Sequence, residues 1–80
     1  MNKLAIKGDR TQKEKLVSIL REMGGFFKLP LGIPSEYDWY YLDDKGFVNI
    51  HWSHTQLEKM GYECITIEEY DRRKETRDNS

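Results

Sequence analysis

The fold of this chain is decided by residues 37–52, Tyr37-Asp38-Trp39-Tyr40-Tyr41-Leu42-Asp43-Asp44-Lys45-Gly46-Phe47-Val48-Asn49-Ile50-His51-Trp52. Two runs of aromatic and aliphatic residues flank Asp43-Asp44-Lys45-Gly46, which fits a type I turn closed by a glycine in the left-handed conformation. The pattern predicts a β-hairpin. The turn also sets its register, with Asp43 opposite Phe47 and Trp39 opposite His51.

The predicted hairpin has two unlike faces, because side chains alternate across a sheet. We expect one face to form the core, and its residues are Tyr40, Leu42, Val48, Ile50 and Trp52. The residues of the other face are Trp39, Tyr41, Asn49 and His51. This second face is half aromatic and half polar, which suits either a binding surface or a second layer of packing.

The composition predicts one small domain. Eighty residues with 38% apolar content suffice for a single packed core. Residues 71–80 contain no apolar side chain and are predicted to be a charged, disordered tail, which leaves residues 1–70 as a single domain. The formal net charge of −1 argues against binding of duplex nucleic acid, because phosphate neutralisation requires a basic surface.

The clearest predicted helix follows a short strand at residues 3–7. Thr11 and Glu14 match a capping box, in which each side chain satisfies a free backbone donor. Apolar residues then recur at helical spacing, at Leu16, Ile19, Leu20 and Met23. Gly24 and Gly25 are expected to end this helix.

Shorter elements complete the predicted fold. Residues 26–29 predict a second strand, which the two prolines of the following loop interrupt. Capping boxes at Thr55 and Thr66 predict two short helices, and residues 62–65 between them predict a strand. This order predicts an α+β fold, in which one main helix packs on a small, largely antiparallel β-sheet.

A single main helix is expected to cover only one side of the sheet. The face of Trp39, Tyr41, Asn49 and His51 is therefore predicted to bind a protein partner, because tyrosine and tryptophan dominate protein interfaces. Leu31 and Ile33, in a proline-stiffened loop, are predicted accessory contacts. Packing of that loop over the end of the core is an equal alternative.

Other roles for the aromatic face stay open at this point. Trp39, Tyr41 and His51 resemble a stacking platform, so a nucleotide or single-stranded nucleic acid is an alternative ligand. The face also suits a homodimer, and the tail could fold over it instead. The net charge and the interface preferences of aromatic residues favour the protein partner.

The sequence predicts no enzyme, no cofactor and no metal. His51, His54 and Cys64 could bind zinc, but their spacing is unspecific. Asp43 and Asp44 are ordinary turn residues. No nucleophile, base and orienting group come together in the pattern, so we expect a protein that binds without catalysing a reaction.

The single cysteine, Cys64, excludes an internal disulfide and suits a reducing cytosol. No run approaches the roughly 20 apolar residues that a membrane span requires. The chain starts on a strand-like segment without the apolar block of a signal peptide. We therefore expect a cytoplasmic protein that does not enter a membrane.

Four segments together resemble small uncharacterised proteins encoded by tailed bacteriophages and prophages. They are the short basic strand, the helix end Leu20-Arg21-Glu22-Met23-Gly24-Gly25, the aromatic hairpin Tyr40-Tyr41-Leu42-Asp43-Asp44-Lys45-Gly46-Phe47-Val48, and the ending Gly61-Tyr62-Glu63-Cys64-Ile65-Thr66-Ile67-Glu68-Glu69-Tyr70. The resemblance implies a role in host takeover or in countering bacterial defences. It implies an inhibitor in the host cytoplasm that occludes a surface of a host or defence protein.

Overall fold

The computed structural model describes the backbone of residues 3–78 and the side chains of residues 3–75. Its elements in chain order are β1 (Lys3–Lys7), α1 (Lys13–Glu22), β2 (Trp39–Leu42), β3 (Val48–His51), α2 (His54–Lys59), β4 (Tyr62–Ile65) and α3 (Ile67–Asp78). The four strands form one sheet in the order β3-β2-β1-β4. The β1–β4 pair is parallel and the other two pairs are antiparallel, so the predicted α+β fold is confirmed.

The hairpin of β2 and β3 has the predicted register at every pair, from Trp39 opposite His51 to Leu42 opposite Val48. The Asp43 backbone N–H donates to the Phe47 carbonyl at 2.9 Å. Gly46 has a φ of 89°, a conformation that L-residues with a side chain rarely adopt. Local turn chemistry therefore sets the alignment of these two strands.

Helices α1 and α3 share one side of the sheet, where they form the larger core. Its buried members are Ile6, Leu16, Ile19, Leu20, Tyr40, Ile65, Ile67 and Tyr70. Met23, Leu42 and Val48 pack partly buried against this cluster, as predicted. Gly8 lies beside it, and a Cβ there would overlap the Ser35 carbonyl oxygen and approach Tyr40 Cε1 to 2.8 Å.

Residues 71–78, predicted to be a disordered tail, instead continue α3. Charge pairing explains the difference, because polar side chains on α3 find partners on the body of the domain. Lys74 Nζ lies 2.5 Å from Glu22 Oε1, and Lys15 pairs with Asp71. Arg73 reaches Glu63 on β4 at 2.5 Å. The predicted domain boundary at residue 70 thus falls inside a helix, while residues 79–80 lie outside the described part.

The second side of the sheet is covered by α2. Leu57 on this helix is fully buried with Ala5 of β1 and Tyr62 of β4. The helix begins after Ser53, whose hydroxyl accepts the Gln56 backbone N–H at 3.2 Å, and not after Thr55 as the capping pattern predicts. The last capping residue, Thr66, is confirmed, since its Oγ1 accepts the Glu69 N–H at 3.1 Å.

The strand predicted at residues 26–29 is reduced to one bridge between Phe26 and Phe47. Phe26 donates its backbone N–H to the Gly46 carbonyl at 2.8 Å and accepts from the Val48 N–H at 2.9 Å. The chain then bends away into the loop 27–38. Of the helices within residues 3–78, none has the length and apolar character needed to cross a bilayer.

Candidate functional site

The aromatic face predicted to bind a partner is largely occupied by the protein itself. Trp39 and Tyr41 pack, partly buried, against the cluster around Leu57. The centroids of the Tyr41 and Tyr62 rings are 5.0 Å apart, and those of the Trp39 ring and the His54 ring on α2 are 5.9 Å apart. The expectation that no helix covers this face is wrong, because α2 is long enough to place one leucine on it.

The polar residues of the same face support the local fold. Asn49 Nδ2 donates to Asp43 Oδ2 at 2.9 Å and to the Phe47 carbonyl at 3.1 Å. His51 Nδ1 accepts the Ser53 backbone N–H at 2.9 Å. The Asn49 hydrogen bonds therefore stabilise the hairpin turn, and the His51 hydrogen bond stabilises the junction of β3 with α2. Their role in binding stays a prediction.

The Asp43 carboxylate is the centre of the turn. Its Oδ1 accepts the Lys45 and Phe47 backbone N–H groups at 2.9 and 3.0 Å. Desolvation raises the pKa of Asp43, but the hydrogen bonds from Phe47, Asn49 and Lys45 outweigh it and hold the pKa below its ordinary value. This charge thus stabilises the turn and is already satisfied, which leaves it little capacity for acid–base chemistry.

The residues weighed as zinc ligands do not converge. Cys64 Sγ donates to the His54 backbone carbonyl at 3.7 Å, and burial raises the pKa of its thiol, with Glu58 adding to the effect. A zinc ligand must be a thiolate, so this shift disfavours coordination. Within the described residues, no three His, Cys, Asp or Glu side chains form a group that could hold a metal ion.

The prediction that Ile50 and Trp52 belong to the core is wrong. Ile50 is 51% exposed although it lies opposite buried Tyr40 on β2, and Trp52 is 77% exposed. Strand β3 ends at His51, so Trp52 lies just outside the sheet, where its ring stacks on the His51 ring with 5.7 Å between the ring centroids. The cause is the position of β3 at the edge of the sheet. Helix α1 packs against β2, so it does not reach the far half of β3.

The loop after α1 lies beside Ile50 and forms an apolar cleft with β3. The cleft has a volume of about 290 Å³ and is lined by Phe27, Lys28, Leu29, Pro30, Leu31, Gly32, Val48 and Ile50. Of the two predicted loop contacts, Leu31 packs partly buried against the core, whereas Ile33 is 82% exposed. Leu29 is 79% exposed. We call Leu29, Ile50, Trp52 and this cleft the β3 edge surface.

The backbone of β3 is also accessible beyond Val48. In an antiparallel pair the backbone groups of successive residues point alternately toward and away from the neighbouring strand. Phe47 bonds to β2, so Val48 and Ile50 point outward. Phe26 pairs with Val48, but no other strand or loop in the described part of the chain pairs with this edge from Ile50 onward.

Sequence reasoning missed this surface because it assumed that the whole apolar face of the hairpin would be covered. One signal pointed to it: residues 46–53 contain no charged side chain, although an exposed edge strand is usually protected by lysine or another charge. Comparison with protein-family models, with curated proteins and with solved structures finds no match to this chain.

Proposed function

We propose that this chain is a non-enzymatic protein-binding module whose contact surface is the β3 edge surface. The observation that carries the proposal is the exposure of Ile50 on β3, where it lines an apolar cleft, and of Trp52 just after the strand. Large apolar side chains grouped on a surface mark interaction sites, and tryptophan is prominent among the residues that dominate binding energy.

The resemblance to phage-encoded proteins supports the class of partner. The module would act in the cytoplasm of a bacterial host by occluding a surface of a host or defence protein. The chemistry of the β3 edge surface favours protein over nucleic acid, because Lys28 is the one cation among the residues lining the cleft. A nucleotide platform has less support, because Trp39 and Tyr41 pack against the cluster under α2.

Differential affinity capture tests this proposal with two matched double variants. Ile50→Thr with Trp52→Ser removes the β3 edge surface. Met60→Thr with Tyr37→Ser is the control, because Met60 and Tyr37 are exposed by the same fractions, 51% and 77%. Each variant and the parent are used as bait in a bacterial host lysate, and any protein enriched by the parent is purified and titrated.

We expect the β3 edge variant to bind that protein at least about 30-fold more weakly, as loss of a hot-spot residue typically causes. The control variant should bind like the parent. Circular dichroism and thermal unfolding of all three proteins separate lost contact from lost fold. If the folded β3 edge variant and the parent bind the captured protein with equal affinity, the binding uses another surface and the proposal is refuted.

A further inference from the structure

We infer that, when no partner is bound, a second copy of the chain covers the β3 edge surface. The outer end of β3, extended by Trp52, would pair antiparallel with the same segment of the second copy across a two-fold axis that passes next to His51. This inference rests on the proposed function, since it concerns the same surface, and it adds a regulatory step: a partner must displace the second copy. The edge composition, the pairing register and the exposed area support it.

The composition of the edge offers no protection against pairing. Natural edge strands avoid association by means of lysine, proline, inward charges or bulges. The outer edge from Ile50 to Ser53 carries none of these residues, and no bulge interrupts the β2–β3 ladder. Two copies meeting here bring no like-charged lysine, arginine or carboxylate together at the axis.

Phe26 restricts the register of such a pair. Its carbonyl already accepts the Val48 N–H, so an added strand can bond only from Ile50 onward. A two-fold axis at His51 satisfies this limit, because it places Ile50 opposite Trp52 of the second copy and repeats the contact by symmetry. Such an isologous contact closes with two copies and does not propagate.

The same register brings complementary side chains together. Ile50 lines the apolar cleft, so Trp52 of the second copy comes to lie at the cleft mouth. The volume of about 290 Å³ is at the lower end for a ligand pocket and suits one large side chain. Aromatic and β-branched residues directly opposite each other are favourable cross-strand pairs.

The exposed area predicts a weak dimer. Leu29, Ile50 and Trp52 together present roughly 300–500 Å² of side-chain surface per copy, taking about 150–250 Å² for a large side chain when fully exposed. A stable interface buries about 800 Å² per partner, whereas transient ones bury less than about 600 Å². The contact therefore belongs with transient interfaces, which a tighter partner can displace.

Sedimentation velocity from about 5 to about 500 µM tests for this dimer, a range that brackets weak association. The parent should shift from monomer to dimer as concentration rises. Trp52→Glu should stay monomeric throughout, and the control Tyr37→Glu should behave like the parent, since both residues are equally exposed. A parent that is monomeric at the highest concentration, or a Trp52→Glu variant that dimerises like the parent, would overturn the inference.

Cysteine cross-linking tests the register in a Cys64→Ser background. Cα atoms of a non-hydrogen-bonded antiparallel pair lie about 4.5 Å apart, which is within disulfide range. His51→Cys should therefore form a disulfide-linked dimer on mild oxidation. Asn49→Cys is the control, because the proposed register separates its two copies by roughly 13 Å, four residues along a strand. Efficient cross-linking at position 49 but not at 51 would contradict the register.

The experiments can refute the second-copy inference and the proposed binding function independently of each other. A monomeric parent whose Ile50/Trp52 double variant still loses capture of the partner protein refutes the second-copy inference and leaves the binding function in place. A parent that dimerises through position 51 while that double variant captures the partner normally refutes the binding surface and leaves the dimer in place.

Discussion

Leu57 is the residue that attaches α2 to the sheet, so Leu57→Ala is the sharpest test of the second packing layer. Leu57 is fully buried, and it is the buried residue of this six-residue helix. A helix this short has little stability of its own, since isolated helices below about 12–15 residues are marginal in water. Its position over Trp39 and Tyr41 therefore depends chiefly on this buried side chain, with the Trp39–His54 ring contact and the Cys64–His54 hydrogen bond as lesser contributions.

The expected cost of Leu57→Ala is about 2–5 kcal/mol of unfolding free energy, because a buried leucine loses its transfer free energy and leaves a cavity. A domain of 80 residues has a total unfolding free energy of roughly 4–12 kcal/mol. Each kcal/mol moves the Tm of such a domain by about 4–8 °C, so we expect a decrease of at least about 8 °C.

Urea unfolding and acrylamide quenching together measure this effect. The chain has two tryptophans, so a Trp52→Phe background leaves Trp39 as the only reporter. Leu57→Ala in that background should lower the unfolding free energy and increase quenching of Trp39 in the native baseline. Met60→Ala, at the half-exposed end of α2, is the control and should change neither quantity appreciably. A loss below about 1 kcal/mol with unchanged quenching would refute the inferred role of Leu57, because buried leucines cost more.

Three further outcomes are expected. Gly8→Ala should strongly lower the Tm, because the added Cβ would overlap the Ser35 carbonyl oxygen. Gly32→Ala is the control and should leave the Tm nearly unchanged, because no atom beyond its chain neighbours lies within 4 Å of its Cβ position. Equal Tm values for the two variants would contradict this. The lowered pKa of Asp43 means that its charge stabilises the fold above the unfolded-state pKa, near 3.8, and that this contribution is lost as pH falls through the folded-state pKa. The difference in unfolding free energy between the parent and Asp43→Asn should therefore decrease below about pH 4. A difference that stays constant from about pH 6 to about pH 3 would refute this stabilising role of the Asp43 charge. Single-tryptophan variants should show stronger acrylamide quenching of Trp52 than of Trp39, and the reverse order would contradict the exposures.

The hairpin and the apolar stripe of the main helix could be predicted from sequence because short-range chemistry determines them. The predicted Thr11 cap is wrong, because α1 starts after Gln12 without a side-chain cap and the Thr11 hydroxyl donates to Asp9. The Asp43 side chain and Gly46 set the strand alignment within a few residues. The apolar stripe of Leu16, Ile19 and Leu20 defines the buried face of α1 without reference to its partner. Strand β4 at residues 62–65 was likewise predicted at its observed bounds.

Helix α3 could not be predicted over its full length, because its distal half contains no apolar residue. Its partners are distant in sequence, with Glu22 paired to Lys74 and Asp71 paired to Lys15. Such pairs exist only after the chain has folded. The start of α2 was missed for a different reason: Ser53 and Thr55 both fit a cap, and the one chosen depends on where β3 ends.

The sequence by itself indicated the four strands of the sheet, how the hairpin aligns and which stripe of α1 is buried, because these follow from local turn chemistry and periodicity. It also indicated a strand at residues 26–29 that the fold reduces to one bridge. Only the tertiary structure decided which parts of the hairpin meet water. The parallel pairing of β4 with β1 leaves β3 at the edge of the sheet, and α2 supplies a second cover. These long-range choices turn Trp39 and Tyr41 inward and leave Ile50 and Trp52 exposed, because burial depends on neighbours that no local pattern specifies.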